Sequence, residues 1–181
     1  MTLALTTLFA LLALVAVVGA VALVVSAPFR AWMRPHAVGA TAAISGTATV
    51  GSLYLSEIAG YVPCELCWWQ RIFMYSTAVI STTALLRRRT DALAYTLPLA
   101  LFGVVTSIWH VIIQRLPADT SAQFCDPNNP CSAIWVERFG FITIPTMAGA
   151  GFIAIIALAW AARSSATAGS GREATKEELV R

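Results

Sequence analysis

Cys64-Glu65-Leu66-Cys67 places two thiols three residues apart, directly after Pro63 and at the start of a long apolar stretch. Thiols at i and i+3 in the first turn of a helix share one face, close enough to form a strained, readily reduced disulfide. Pro63 suits the opening of that helix, because its missing N–H would be unpaired there in any case. The free N–H groups and the positive end of the helix dipole favour thiolate at this turn. A second pair follows, Cys125 and Cys131, flanking the turn-rich run Asp126-Pro127-Asn128-Asn129-Pro130. Four cysteines admit three pairings, and spacing does not choose among them. Reversible thiol–disulfide chemistry is the main reading; two structural disulfides and a four-thiolate zinc site are the alternatives. Closing a loop as short as 125–131 would contribute only about 2–3 kcal/mol on the chain-entropy argument, which a helical bundle scarcely needs. The second pair has no short metal knuckle, so no metal ligand is assigned.

The elements that must hold these thiols are membrane helices. The chain is 58% hydrophobic and 12% charged, with a mean hydropathy of +0.74, which indicates an integral membrane protein. Its continuous apolar runs predict helices rather than a barrel. The uncharged run Ile72 to Leu86 is too short to cross a bilayer, which needs about 20 residues. Starting the helix near Cys67 makes up the difference. It sets that cysteine at the membrane surface, with Arg71 one turn inside, where a thiol meets both water-borne proteins and lipid-dissolved molecules.

Five spans are expected: Leu3 to Ala27, Ala37 to Val62, Cys67 to Leu86, Ala92 to Ile113 and Ile142 to Ala162. The first is read as an anchor rather than a cleaved signal, because it lacks a basic leader and its apolar core is long. Three units follow: residues 1–36, an anchor and link; residues 37–162, a four-helix core; residues 163–181, a disordered tail rich in Ala, Ser, Gly and charge. The fold class is therefore all-α and polytopic.

Basic residues set the orientation. Arg30, Arg34, Arg87, Arg88, Arg89, Arg163, Arg172, Lys176 and Arg181 fall on one side, and Arg71, Arg115 and Arg138 on the other. The richer side is cytoplasmic, which leaves all four cysteines and the N-terminus outside and the C-terminus inside.

Electrons leaving the Cys64–Cys67 dithiol need an acceptor. Trp68 follows Cys67, which excludes haem attachment through Cys-x-x-Cys-His. There is no Gly-x-Gly-x-x-Gly for a Rossmann-bound flavin or nicotinamide. A lipid-soluble quinone would reach Cys67 at its depth, and Arg71 would stabilise a reduced quinone oxygen and a thiolate at Cys67. A snorkelling arginine that marks the interface is the other reading of Arg71. His110 and Gln114, one turn apart, either face the quinone head group or serve packing. Glu57 reads as an interfacial acid, the tryptophans 68, 69, 109 and 135 as an aromatic belt, and 134–139 as a short amphipathic segment on the outer surface.

From Ala37 to Ala162 the chain resembles the disulfide bond formation protein B (DsbB) family. The resemblance rests on Cys64-x-x-Cys67 opening a span with Arg71 four residues on, the cysteine pair in the next outer loop, and Phe141-Ile142-Thr143-Ile144-Pro145 opening the last span. The order of the pairs separates it from the vitamin K epoxide reductase relatives, in which the loop cysteines come first. The resemblance implies a four-helix core that reoxidises a thioredoxin-like (DsbA-type) extracytoplasmic oxidase in a bacterial plasma membrane and reduces ubiquinone or menaquinone. It implies that Cys125 forms the mixed disulfide with the partner and that Cys131 attacks Cys64. Cys67 then faces the quinone, beside Arg71 and His110. The span from Leu3 to Ala27 is additional to that core. The loop has only five residues between its thiols and is expected to move several ångströms for Cys131 to reach Cys64. The competing function is a non-enzymatic membrane scaffold with two structural disulfides.

Overall fold

The computed structural model describes residues 2–117, 125–126 and 128–163. Helix α1, Thr2–Val25, carries no charge, as continuous apolar sequence requires of a lipid-facing helix. Ser26 caps the short α2, Ala27–Met33, its hydroxyl accepting the Phe29 N–H at 3.3 Å, with proline in the first turn. A 3₁₀ turn, Arg34–His36, leads into α3, Ala37–Leu53, which widens into a π-helical turn over Tyr54–Ile58. Helices α4, Glu65–Leu86, α5, Leu93–Ile113, and α6, Ile144–Arg163, complete the bundle.

The core helices pack α3 on α4, α4 on α5 and α5 on α6, with α6 also against α3. Small residues permit the close approaches. Phe152 of α6 seats on Gly103 of α5, where a Cβ would have no room. The buried Ser45 and Ser81 hydroxyls meet at 3.3 Å between α3 and α4. Helix α1 lies on α6, burying Thr6, Ala10, Ala20 and Leu23.

The result is an all-α membrane protein. Among the described residues three helices, α1, α5 and α6, are long and apolar enough to cross a membrane on their own. The other two expected spans are α3, which has 17 residues before its π turn, and α4, whose 22 residues include Glu65 and Arg71.

Two local expectations change. The segment from Ala37 stops at Ile58 rather than Val62, because left-handed Gly60 (φ 74°) ends it and the Tyr61 N–H returns to the Leu55 carbonyl at 2.9 Å. Pro63 does not open α4: Cys64 is the extended N-cap residue and Glu65 the first helical one. The expected amphipathic segment 134–139 exposes Ile134, Trp135 and Phe139 and buries Val136. It feeds a two-stranded antiparallel hairpin, β1 Glu137–Arg138 and β2 Ile142–Thr143, reversed by Phe139 and Gly140 at φ 54° and 76°. Two successive left-handed residues reverse the chain and cannot continue a right-handed helix. The expected disordered tail, from residue 164 on, lies outside the described residues.

Candidate functional site

The N-terminus of α4 positions the first pair. Cys64 caps the helix through its sulfur, which accepts the Cys67 N–H at 3.4 Å. That capping bond turns the two side chains toward each other, and the free thiols sit 2.9 Å apart. Cys64, just outside the helix, is buried. Its thiol is pulled from the ordinary cysteine value down to about 4, chiefly by the hydrogen bond from the Cys67 thiol and then by the hydrogen bond from His110, against burial, which raises it. Cys64 is the thiolate of the pair.

His110, near the end of α5, is only 2% exposed and stands between the two cysteine pairs. Its Nε2 lies 3.1 Å from the Cys131 carbonyl and 3.6 Å from the Cys64 sulfur. A carbonyl can only accept, so Nε2 carries the proton. Nδ1 is then the acceptor, and the Gln70 side-chain amide donates to it at 3.2 Å. This chain of bonds fixes the tautomer and points an N–H donor at the Cys64 sulfur.

The second pair is a disulfide, Cys125–Cys131, with Cα atoms 5.9 Å apart. Both cysteines are buried and share a cluster with Cys64 and Ile113. Asp126 builds the turn by accepting the Asn128 N–H at 2.8 Å. Asn129 donates to the Pro63 carbonyl at 2.9 Å and so ties the loop to the residue before Cys64. Where the sequence predicts a loop that must travel several ångströms, the structure packs it against Cys64 from the start.

Arg71 is 9% exposed and turned inward, unlike a snorkelling side chain. Its Nε donates to the Ser52 hydroxyl and its Nη2 to the Ser52 carbonyl, each at 2.9 Å, while its guanidinium carbon lies 5.1 Å from the Trp68 ring centre. Nη1 has no hydrogen-bond acceptor among the described residues.

Arg71, Gln70 and Cys67 line the polar end of a cleft of about 470 Å³ bounded by α1, α3, α4 and α6. The rest of its lining is mostly Ala, Val, Leu, Ile and aromatic side chains. A ligand with an apolar body and a small polar head, such as a quinone, fits that distribution of chemistry. His110 does not line this cleft. It lines a separate small recess with Cys64, Cys67 and Gln114, so Cys67 faces both spaces.

Gln114 is committed elsewhere, its Oε1 accepting the Thr143 hydroxyl at 2.9 Å. Glu57 is exposed and accepts the Ser56 hydroxyl at 2.9 Å. Ser52, Asn129 and Gln70 were not singled out by sequence. Gln70 alone left a signal, as an uncharged polar residue one turn after Cys67 in an apolar helix.

Cys64, Cys67 and His110 also bring three metal-ligating atoms within 4.8 Å of one another. Two sulfurs on one tetrahedral zinc, each at about 2.3 Å, would stand roughly 3.8 Å apart. The observed 2.9 Å is too short for two sulfurs on one zinc ion.

Comparison with known proteins agrees with this geometry. The family described as disulfide bond formation protein DsbB matches residues 34–162. The chain is 44% identical over 109 residues to disulfide bond formation protein C of Bacillus subtilis (strain 168), covering 60% of this chain and 79% of that protein. It is 43% identical over 109 residues to a probable disulfide formation protein C of Halalkalibacterium halodurans, covering 60% and 80%. A probable disulfide formation protein C 2 of Bacillus anthracis is 32% identical over 126 residues, covering 70% and 89%. No solved structure matches. With paired thiols at a helix cap, a disulfide docked on them and a family match over the whole four-helix core, the chain belongs to the DsbB family and is a membrane thiol–disulfide oxidoreductase.

Proposed function

We propose that this oxidoreductase reoxidises a thioredoxin-like (DsbA-type) dithiol oxidase outside the plasma membrane of a bacterium and passes the electrons to a membrane quinone. The observation that carries the reading is the position of Cys67, with the buried cysteine cluster on one side and the apolar cleft ending at Arg71 on the other.

The exchange starts with both pairs oxidised. A partner thiolate attacks Cys125, forming a mixed disulfide and releasing Cys131 as thiolate. Cys131 attacks Cys64, breaking the Cys64–Cys67 bond and releasing Cys67. The partner's second thiol resolves the mixed disulfide, leaving the partner oxidised and Cys125 reduced. Cys125 then attacks Cys131, re-forming Cys125–Cys131 and freeing Cys64. The partner has lost two electrons and two protons, and Cys64 with Cys67 has gained them. A disulfide at 125–131 beside a dithiol at 64 and 67 is the distribution present in the structure.

The N–H of His110 stabilises Cys64 as it leaves. Bound in the cleft, a quinone would supply the two-electron, two-proton acceptor that returns Cys64 and Cys67 to a disulfide. Arg71, fixed by Ser52, would orient and polarise its oxygen through Nη1.

The thiols occupy one end of the bundle, and Arg30, Arg34, Arg87, Arg88, Arg89 and Arg163 lie toward the other. This supports an extracytoplasmic redox face and a cytoplasmic C-terminus. Residues 1–36 act as an anchor and link, residues 37–162 as the catalytic core and residues 163–181 as a tail.

The test is anaerobic. Dithiol-reduced protein is mixed with a soluble quinone and its absorbance followed, beside Cys67→Ser. Loss of oxidised quinone that requires Cys67 is expected. No reduction of several quinones by folded protein sinks the reading.

A further inference from the structure

Helix α1 lies outside the segment the family matches, yet it supplies one wall of the apolar cleft. The cleft exists because α1 packs on α6 and stands away from α3. The walls that face across this gap interleave small side chains, Ala13, Ala16 and Gly19 on α1 and Ala40, Ala43 and Ala48 on α3, with larger apolar ones such as Leu12 and Ile44. Near the outer end Phe9 bridges the gap by seating its ring on Gly51, where an added Cβ would come within 2.9 Å of it. Two latches hold α1 in place. At its outer end the Thr6 hydroxyl accepts from Arg138 Nη2 at 2.6 Å and Nε at 3.1 Å. At its inner end Arg30 donates to the carbonyls of Leu23 and Val24 at 2.9 and 3.1 Å and lies over the Trp160 ring at 4.8 Å.

The lining of the cleft on α6 runs from Ile144 to Leu158, roughly 21 Å at about 1.5 Å per residue. Apolar walls without partner atoms forfeit dispersion contacts, and a hydrocarbon chain restores them. Polar chemistry collects at the outer end, at Cys67, Gln70, Arg71 and Ser52. A long hydrocarbon tail attached to a small redox-active head matches both parts.

We propose that α1 completes the binding site for the polyprenyl tail of the quinone, so that the helix additional to the four-helix core confers preference for long-tailed acceptors. The inference rests on the quinone reading above and adds the tail-binding element to it.

Gly19 gives the test. A Cβ there meets nothing within 4 Å and the residue lines the cleft, so Gly19→Phe starts from open space and projects its ring into the gap. Gly46 is equally open but lies outside the cleft lining, and Gly46→Phe is the control. Binding of a long-tailed quinone and of its tail-less analogue to oxidised protein in detergent is measured by quenching of tryptophan fluorescence. Gly19→Phe is expected to weaken the long-tailed quinone at least tenfold, to leave the analogue within twofold, and to differ from Gly46→Phe; Gly19→Leu replaces it should the larger side chain prevent folding. Unchanged long-tail affinity in Gly19→Phe, or equal loss of both ligands, overturns the role of α1 while leaving the quinone reading intact. Wild-type protein that binds neither ligand overturns both. Loss of co-purifying phospholipid from Gly19→Phe with quinone affinity unchanged assigns the cleft to a lipid acyl chain and overturns the proposal.

Discussion

The two cysteine pairs differ in what holds them. Cys64 and Cys67 are fixed by the first turn of a long helix, with a capping bond, a histidine and a neighbouring arginine in defined positions. Cys125 and Cys131 sit on a loop, held to the rest by Asn129, by the Cys131 carbonyl accepting from His110 and by burial against Ile113. The difference teaches a division of labour. A pair on a rigid helix end can keep one sulfur ionised and hold the other at a cleft. A pair on a loop can yield to an incoming protein and return.

The comparison can be broken most directly at His110, which touches both pairs. His110→Ala should slow electron transfer from partner or small dithiol to the Cys64–Cys67 pair by about 100-fold, the low end for a lost acid–base group. Reduction of quinone by protein already reduced at Cys64 and Cys67 should fall much less. Equal loss in both assays would mean that the histidine serves the acceptor end instead.

The next effect is the charge on Cys64. With its thiol held at about 4, Cys64 in the reduced protein is thiolate at pH 7, roughly thirtyfold more than an unperturbed cysteine would be. Thiolate ultraviolet absorbance should therefore stay level as pH falls from 8 to 5 and disappear as pH drops through about 4. A midpoint near 8 would show that the helix end does not separate the two pairs electrostatically.

A smaller effect is expected at Arg71. Lysine cannot reproduce a guanidinium that donates to the Ser52 hydroxyl and carbonyl at once. Arg71→Lys should raise the KM for quinone by about tenfold, or about 1.4 kcal/mol, with exchange between the pairs unchanged. The smallest change sharpens the loop side. Asn129→Ala removes one tether, worth about 1 kcal/mol, and should make Cys125–Cys131 about fivefold more accessible to mild reductant.

Much of this molecule was legible before folding. A charge-poor chain in lipid must satisfy its backbone internally, so uninterrupted apolar runs become helices with ends close to those observed. The boundaries that shifted did so at particular residues: Gly60 with its left-handed backbone, and Cys64 taking the cap instead of Pro63. Each is a local choice that hydropathy, averaged over a window, does not register.

The sequence by itself determined the redox vocabulary, two thiol pairs with an arginine one turn from Cys67, because spacing along a helix sets which side chains share a face. Tertiary structure alone decided how those groups are wired. His110 reaches Cys64 across 46 residues and Cys131 across 21, and Arg71 reaches Ser52 across 19. Such contacts depend on the angle and depth at which helices pack, which is set by small residues such as Gly103 and Gly51 meeting particular rings. The cleft beside α1 has the same origin, since it is a gap between helices and no single stretch of sequence encodes a gap.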